Sequence, residues 1–135
     1  MSDRKIIRVK DVMKRDFDMV DGLTTISETL RKMKHIDTKC VIVNKRHDDD
    51  AYGMVLISDI AKQVLANDKA PDRVNVYEIM SKPVITVEAE MDIRYCARLF
   101  EKFGLSRAPA VTNGEIVGIV SLTDMVLSGL CGDIN

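Results

Sequence analysis

Two stretches of this chain end an apolar run with hydroxyls and a carboxylate. Gly118-Ile119-Val120-Ser121-Leu122-Thr123-Asp124 closes with Ser121, Thr123 and Asp124, and Gly53-Met54-Val55-Leu56-Ile57-Ser58-Asp59 closes with Ser58 and Asp59. A carboxylate offers two acceptors at the separation of the two neighbouring hydroxyls of a ribose, the geometry used by the acidic residue of dinucleotide folds. Hydroxyls and amides at a helix start suit a phosphate. Lys39 and Arg107 each stand one residue before a middle apolar run, at Cys40 and Ala108, where a cation would reach such a phosphate. The same residues have a plainer use. Ser121 and Asp124 have the spacing of a capping box, in which the hydroxyl bonds an orphan amide and the acid favours the positive helix end. Residue types and spacing leave both uses open.

Other chemistry finds few candidates. The chain has no Gly-x-x-x-x-Gly-Lys-Ser/Thr loop, no Gly-x-Ser-x-Gly elbow and no His-Glu-x-x-His pair. Its two histidines, His35 and His47, lie near Cys40 at a spacing that fits no zinc pattern. Asp48-Asp49-Asp50 lacks the glycine and distal glutamate of a calcium loop and reads as a solvated hairpin tip. We therefore expect no catalytic residues, no catalytic cofactor and no metal ligands: a binding protein, not an enzyme. The three cysteines, Cys40, Cys96 and Cys131, are odd in number and unclustered, which fits reduced thiols. Cys40 and Cys96 fall in strand-like and helix-like runs and are expected in the core.

The 20 basic and 21 acidic side chains are well mixed and leave a net charge of −1. A nucleic-acid binder needs a basic face, so such a partner is not expected. No apolar run reaches the length of a bilayer span, and Met1-Ser2-Asp3-Arg4-Lys5 lacks a signal-peptide core. The expectation is a soluble, cytoplasmic protein without a membrane partner.

The elements that must hold the hydroxyls and carboxylates come twice. Met80 lies 67 residues after Met13, as Ile93 does after Ile26 and Phe103 after Ile36. Strands are predicted over Phe17–Val20, Cys40–Val43 and Ala51–Ile57, with a helix from Ile26 to Ile36 capped by Thr25 and Glu28. The second half repeats them: Val84–Val87, a helix capped by Asp92 and running to Phe103, then Ala108–Val111 and Ile116–Val120 joined by the hairpin signal Asn113-Gly114. Helices close both halves, from Ser58 and from Thr123 to Leu130. The fold class is α/β (α+β): two pseudo-symmetric β-α-β-β-α repeats packed sheet to sheet, one over residues 6–66, a linker over 67–75, and the other over 76–131.

In this order, these residues resemble the tandem CBS-domain proteins, whose paired domains form a Bateman module. The likeness spans roughly Ile6 to Leu130. It rests on Val12-Met13 and Ile79-Met80 with Lys82-Pro83, on Thr86-Val87 before the Ile93–Phe100 helix, and on Ser106-Arg107-Ala108-Pro109-Ala110-Val111 followed by Gly118 to Asp124. The resemblance implies a regulatory sensor of adenine nucleotides or related adenosyl ligands bound between the repeats. Carried over residue by residue, it implies that Asp124 holds the ribose, with Ser121 and Thr123 beside it and Arg107 on phosphate. Thr24, Thr38 and Lys39 would come from the first repeat, and Ile119 would add an apolar wall. A second cleft keeps Ser58 and Asp59 but has Leu56 where the first has Ser121 and Met91 where it has Thr24, so it is expected to be empty or weak. One cation at Arg107, helped by Lys39, suits a short phosphate tail. AMP or ADP is thus favoured, while ATP, NAD and S-adenosylmethionine offer the same ribose and adenine. A homodimer and a regulated partner protein complete the expectation. A ligand-free interaction or oligomerisation scaffold, with both aspartates as caps, is the alternative.

Overall fold

The structure is a computed structural model and describes residues 5–131. Met1–Arg4, read above for targeting features, lie outside the described residues. In chain order the helices are α1 (Val9–Val12), α2 (Ile26–Lys32), α3 (Ile57–Ile60), α4 (Ile93–Phe103) and α5 (Leu122–Asp124). The strands are β1 (Met19–Val20), β2 (Cys40–Val43), β3 (Gly53–Leu56), β4 (Val87–Glu88), β5 (Arg107–Thr112) and β6 (Glu115–Ser121). Helices α3 and α5 run on in wider turns over Ala61–Leu65 and Met125–Cys131, and single tight turns stand at Ile36–Thr38, Pro71–Arg73 and Val76–Glu78. The α+β class and the two three-stranded sheets agree with the sequence reading.

Local chemistry sets most boundaries. The Thr25 hydroxyl accepts from the Glu28 amide at 3.1 Å and starts α2. The Asp92 carboxylate accepts from the Arg94 amide at 2.9 Å and starts α4. Gly104 ends α4 with φ 65°, a left-handed conformation that costs glycine little. Ile93, Cys96 and Phe100 recur on one face of α4 and are buried. Asn113 and Gly114 take φ 52° and 79° and close the β5–β6 hairpin. Cys40, at the start of β2, is buried as well.

Some elements differ from the sequence reading. α2 stops at Lys32, and Ile36 belongs to the following tight turn. The Asp18 carboxylate accepts from the Lys34 and His35 amides at 3.0 and 2.9 Å, which ties that turn to the start of β1 and shortens the strand to two residues. β4 begins at Val87 because Val84 still donates its amide to Tyr52, at 3.0 Å. Asp50 is not a solvated tip residue. Its side chain is 9% exposed and holds Lys82 Nζ at 2.8 Å and Arg46 Nε at 3.1 Å. Those bonds, Lys82 first, hold its carboxyl far below the usual carboxylate range.

The chain forms two compact units, and they do not follow the order of the repeats. One is continuous, Phe17–Val84; the other joins the described parts of Met1–Asp16 and Ile85–Asn135. In the continuous unit β1 pairs parallel with β2, which pairs antiparallel with β3. Ile26, Val41, Val43, Val55 and Val64 form its core with Val74, Val76 and Ile79 from beyond the first repeat. In the two-segment unit β4, β5 and β6 pair in the same way, and Val9 and Val12 of α1 join Val87, Ile93, Cys96, Phe100 and Val120. The bonds that seat the two lead-in segments correspond at the 67-residue offset. Val9 donates to the Met91 carbonyl and Val76 to the Thr24 carbonyl, each at 2.8 Å.

Each lead-in segment then runs along the outer edge of the last strand. Lys14 and Ile119 exchange two backbone bonds at 2.8 Å, and Ser81 and Met54 do the same at 2.9 and 3.0 Å. Gly118 and Gly53 make room for this approach. A Cβ on Gly118 would stand 2.7 Å from the Lys14 carbonyl and from Met13 Sδ; one on Gly53 would stand 2.8 Å from Met80 Sδ and 3.3 Å from the Ser81 carbonyl.

Candidate functional site

The hydroxyl-and-carboxylate cluster sits where β6 passes into α5. Ser121 is 5% exposed, and its hydroxyl accepts from the Asp124 amide at 3.1 Å. That much is helix capping, as the Ser121 spacing implied. The carboxylate behaves differently. Three other helix or turn starts place an acid three residues in and turn it back on the first amide: Asp11 on Arg8 at 2.9 Å, Asp59 on Leu56 at 2.9 Å, and Glu78 on Asn75 at 2.7 Å. Asp124 occupies the same position, as Glu28 does behind the Thr25 cap, and both carboxylates turn to a lysine instead: Glu28 to Lys32 on its own helix at 3.5 Å, Asp124 Oδ1 to Lys14 Nζ, far away in the chain, at 2.6 Å. The Asp124 side chain is 14% exposed and that of Lys14 34%, so the pair is partly withdrawn from water.

The strand register builds the rest of this corner. Arg107 opens β5 directly opposite Ser121, and Pro109 lies opposite Ile119. Lys14 bridges to Ile119 from the other edge of β6. β6 therefore has a cation-bearing residue along each edge, Arg107 of β5 opposite Ser121 and Lys14 of the lead-in segment opposite Ile119. Arg107 is half-buried and Thr123 exposed. Ile119 is 2% exposed. The structure thus brings Arg107, Ile119, Ser121, Thr123 and Asp124 together in one unit. It adds Lys14, which sequence reasoning missed. The available signal was positional: Lys14 and Ser81 are 67 residues apart, so only one of the two corners carries a cation there.

The remaining candidates lie in the continuous unit. Thr38 is 1% exposed, and its hydroxyl donates to the His35 carbonyl at 2.9 Å. Lys39 is exposed, with φ 59°, and its carbonyl accepts from the Ile57 amide at 3.0 Å. That bond places Lys39 beside Ser58, which is exposed, and Asp59. The sequence reading grouped Thr24 with Thr38 and Lys39, and the structure separates them. Val20 pairs with Val43 in a parallel ladder, so Thr24, after β1, stands at the opposite sheet end from Lys39, before β2. Thr24 is half-buried, and its carbonyl takes the Val76 amide.

The Asp59 corner is the poorer one. Leu56 supplies no hydroxyl, so the Asp59 carboxylate serves the Leu56 amide as a backbone cap. Ser81, at the Lys14 position, has no charge. Among the described residues no group of three or more His, Cys, Asp or Glu is placed to hold a metal ion. No helix of the described residues is long and apolar enough to cross a membrane.

Comparison with known proteins bears on what such a corner does. The model of the CBS domain family matches residues 9–66 and again residues 76–128. An uncharacterized protein of Methanopyrus kandleri is 34% identical over 122 residues, which cover 89% of this chain and 61% of that protein. The chain spans about three fifths of the length of the curated relatives it matches first. Among solved structures, a hexameric CBS-CP12 protein from bloom-forming cyanobacteria matches with TM-score 0.88 and 30% identity over 95% of this chain and 74% of that one. The CBS domain pair of a protein in complex with 5′-methylthioadenosine and S-adenosyl-L-methionine matches with TM-score 0.75 and 25% identity, over 97% of this chain and 100% of that one.

Proposed function

We propose a regulatory role from one premise: the chain belongs to the CBS-domain family and carries two copies of the domain. It is a ligand-sensing module that binds an adenine nucleotide or related adenosyl compound and passes the resulting change to a partner protein. The observation that carries this reading is the Asp124 carboxylate. It is kept off the helix-capping bond that Asp11, Asp59 and Glu78 all make, and it stands among Ser121, Thr123 and Arg107. In this reading the ribose hydroxyls donate to Asp124, the phosphate meets Arg107 and the Thr123 hydroxyl, and Ile119 supplies an apolar wall. Ser121 orients the helix start by its cap. Lys39, and the loop that Thr38 holds in shape, are carried into the reading by the family resemblance. A related domain pair in complex with 5′-methylthioadenosine and S-adenosyl-L-methionine supports the adenosyl class. One strand-end cation at Arg107 favours AMP or ADP within it. The Asp59 corner, spent on a backbone cap, binds weakly or not at all.

Thermal unfolding against AMP, ADP, ATP, NAD, S-adenosylmethionine and adenosine tests the proposal. A ligand at a hundred times its dissociation constant adds about 2.7 kcal/mol, a rise of several degrees in Tm. The expected result is a rise with an adenosyl ligand that vanishes in Asp124→Ala and survives in Asp59→Ala. No rise with any of them, in protein stripped of nucleotide, would overturn the sensor reading in favour of a ligand-free scaffold.

A further inference from the structure

The Lys14 amino group meets the Asp124 carboxylate at 2.6 Å, and its own backbone fixes it there through the two bonds to Ile119. From this contact we infer that Lys14 sets the charge preference of the site: it makes Asp124 accept ribosides that bring an anionic group and discriminate against neutral ones. The inference rests on the ribose role proposed for Asp124. A partly buried carboxylate paired to an ammonium is already satisfied. A ribose that takes its oxygens must loosen that pair and leave Lys14 with a weaker partner in a partly buried corner, which costs free energy. A phosphate on the same molecule removes the cost. The ammonium turns from carboxylate to phosphate, and every charged group keeps a charged or hydrogen-bonding partner. A neutral nucleoside offers no such exchange. The corner around Asp59 has Ser81 in this place and its carboxylate on the Leu56 amide, so it has neither the cation to exchange nor a carboxylate to give.

The exchange predicts opposite effects on two probes. Titration calorimetry of AMP and of adenosine into the wild-type protein, Lys14→Met and Lys14→Arg reads it directly. Methionine keeps the unbranched stem, and the backbone bonds to Ile119 do not depend on the side chain. In the wild type AMP binds more tightly than adenosine. In Lys14→Met the ratio of the two affinities falls by roughly tenfold or more, the worth of one charge-assisted hydrogen bond. AMP is weakened, while adenosine holds or gains because Asp124 is no longer pre-paired. Lys14→Arg restores the wild-type ratio. Equal loss of both ligands in Lys14→Met, or an unchanged ratio, would overturn the role of Lys14 and leave the sensor reading standing, provided Asp124→Ala still abolishes both. Adenosine binding more tightly than AMP in the wild type would overturn it too. Failure of both ligands to bind the wild type would overturn both.

Discussion

Asp92 and Asp124 are both aspartates at helix starts, and their partners divide their roles. Asp92 accepts from the Arg94 amide and from the Arg94 guanidinium at 2.7 Å. The guanidinium bond, followed by the amide, holds its carboxyl at about 2, against an ordinary 3.8. A carboxyl lowered on folding adds stability that is fully present above its ordinary value and is lost as pH falls through its folded value. Asparagine caps as well as aspartate but carries no charge. Asp92→Asn is therefore expected to unfold at a lower urea concentration than the wild type at neutral pH, with the gap closing between about pH 4 and pH 2 as the aspartate protonates. Ser121→Ala removes a cap without touching the Lys14–Asp124 pair, and should cost about 1 kcal/mol in urea unfolding. Ser121 and Asp124 were legible in the sequence because capping and ligand binding both demand short polar side chains at a strand–helix junction. Lys14 was not. It lies 110 residues from Asp124, and only the edge bridge to Ile119 brings it there.

Elements explain what single residues cannot. A strand–helix–parallel strand unit carries the chain up one strand, back along a helix and up the next. Residues just before the helix and just before the second strand must then lie at opposite sheet ends, which is why Thr24 and Lys39 part company. The periodic pattern identified both long helices and every main strand. It overran α2 because Ile36, spaced as a helical residue, is captured by the turn that Asp18 ties down. The glycines beside the lead-in segments were legible only as repeated residues; their reason is the close approach of a second backbone. A side chain at Gly118 would press on the Lys14 carbonyl, which cannot move without breaking the bridge to Ile119. At Gly53 the tightest neighbour is the flexible thioether of Met80. Gly118→Ala should thus cost about 1–3 kcal/mol in chemical denaturation, and more than Gly53→Ala.

At the scale of the molecule, the repeats seen in the sequence and the units seen in the fold are cut at different places. Val9 and Val12 are 0% and 7% exposed in a unit made otherwise from the second half, and Val76 and Ile79 are 0% and 7% exposed in a unit made otherwise from the first. Even the stretch over residues 67–75, read as a linker, contributes Val74 to a core. Sequence similarity groups residues that share an origin, while burial groups residues that share an interior, and nothing in a repeat says which copy its first helix will join. A fragment of residues 17–84 should therefore show a cooperative urea transition by circular dichroism, whereas one of residues 6–66, lacking Val74, Val76 and Ile79, should not. The same crossing of segments has a consequence for a chain half this length. One repeat alone would carry a lead-in helix with no place in its own unit, and two such chains would complete each other only by mutual exchange, at a population set by mass action. Joining them end to end turns that encounter into an intramolecular one with a fixed effective concentration. The duplication then frees the two copies to diverge: one corner keeps a lysine facing its aspartate, and the other has given its carboxylate to the backbone.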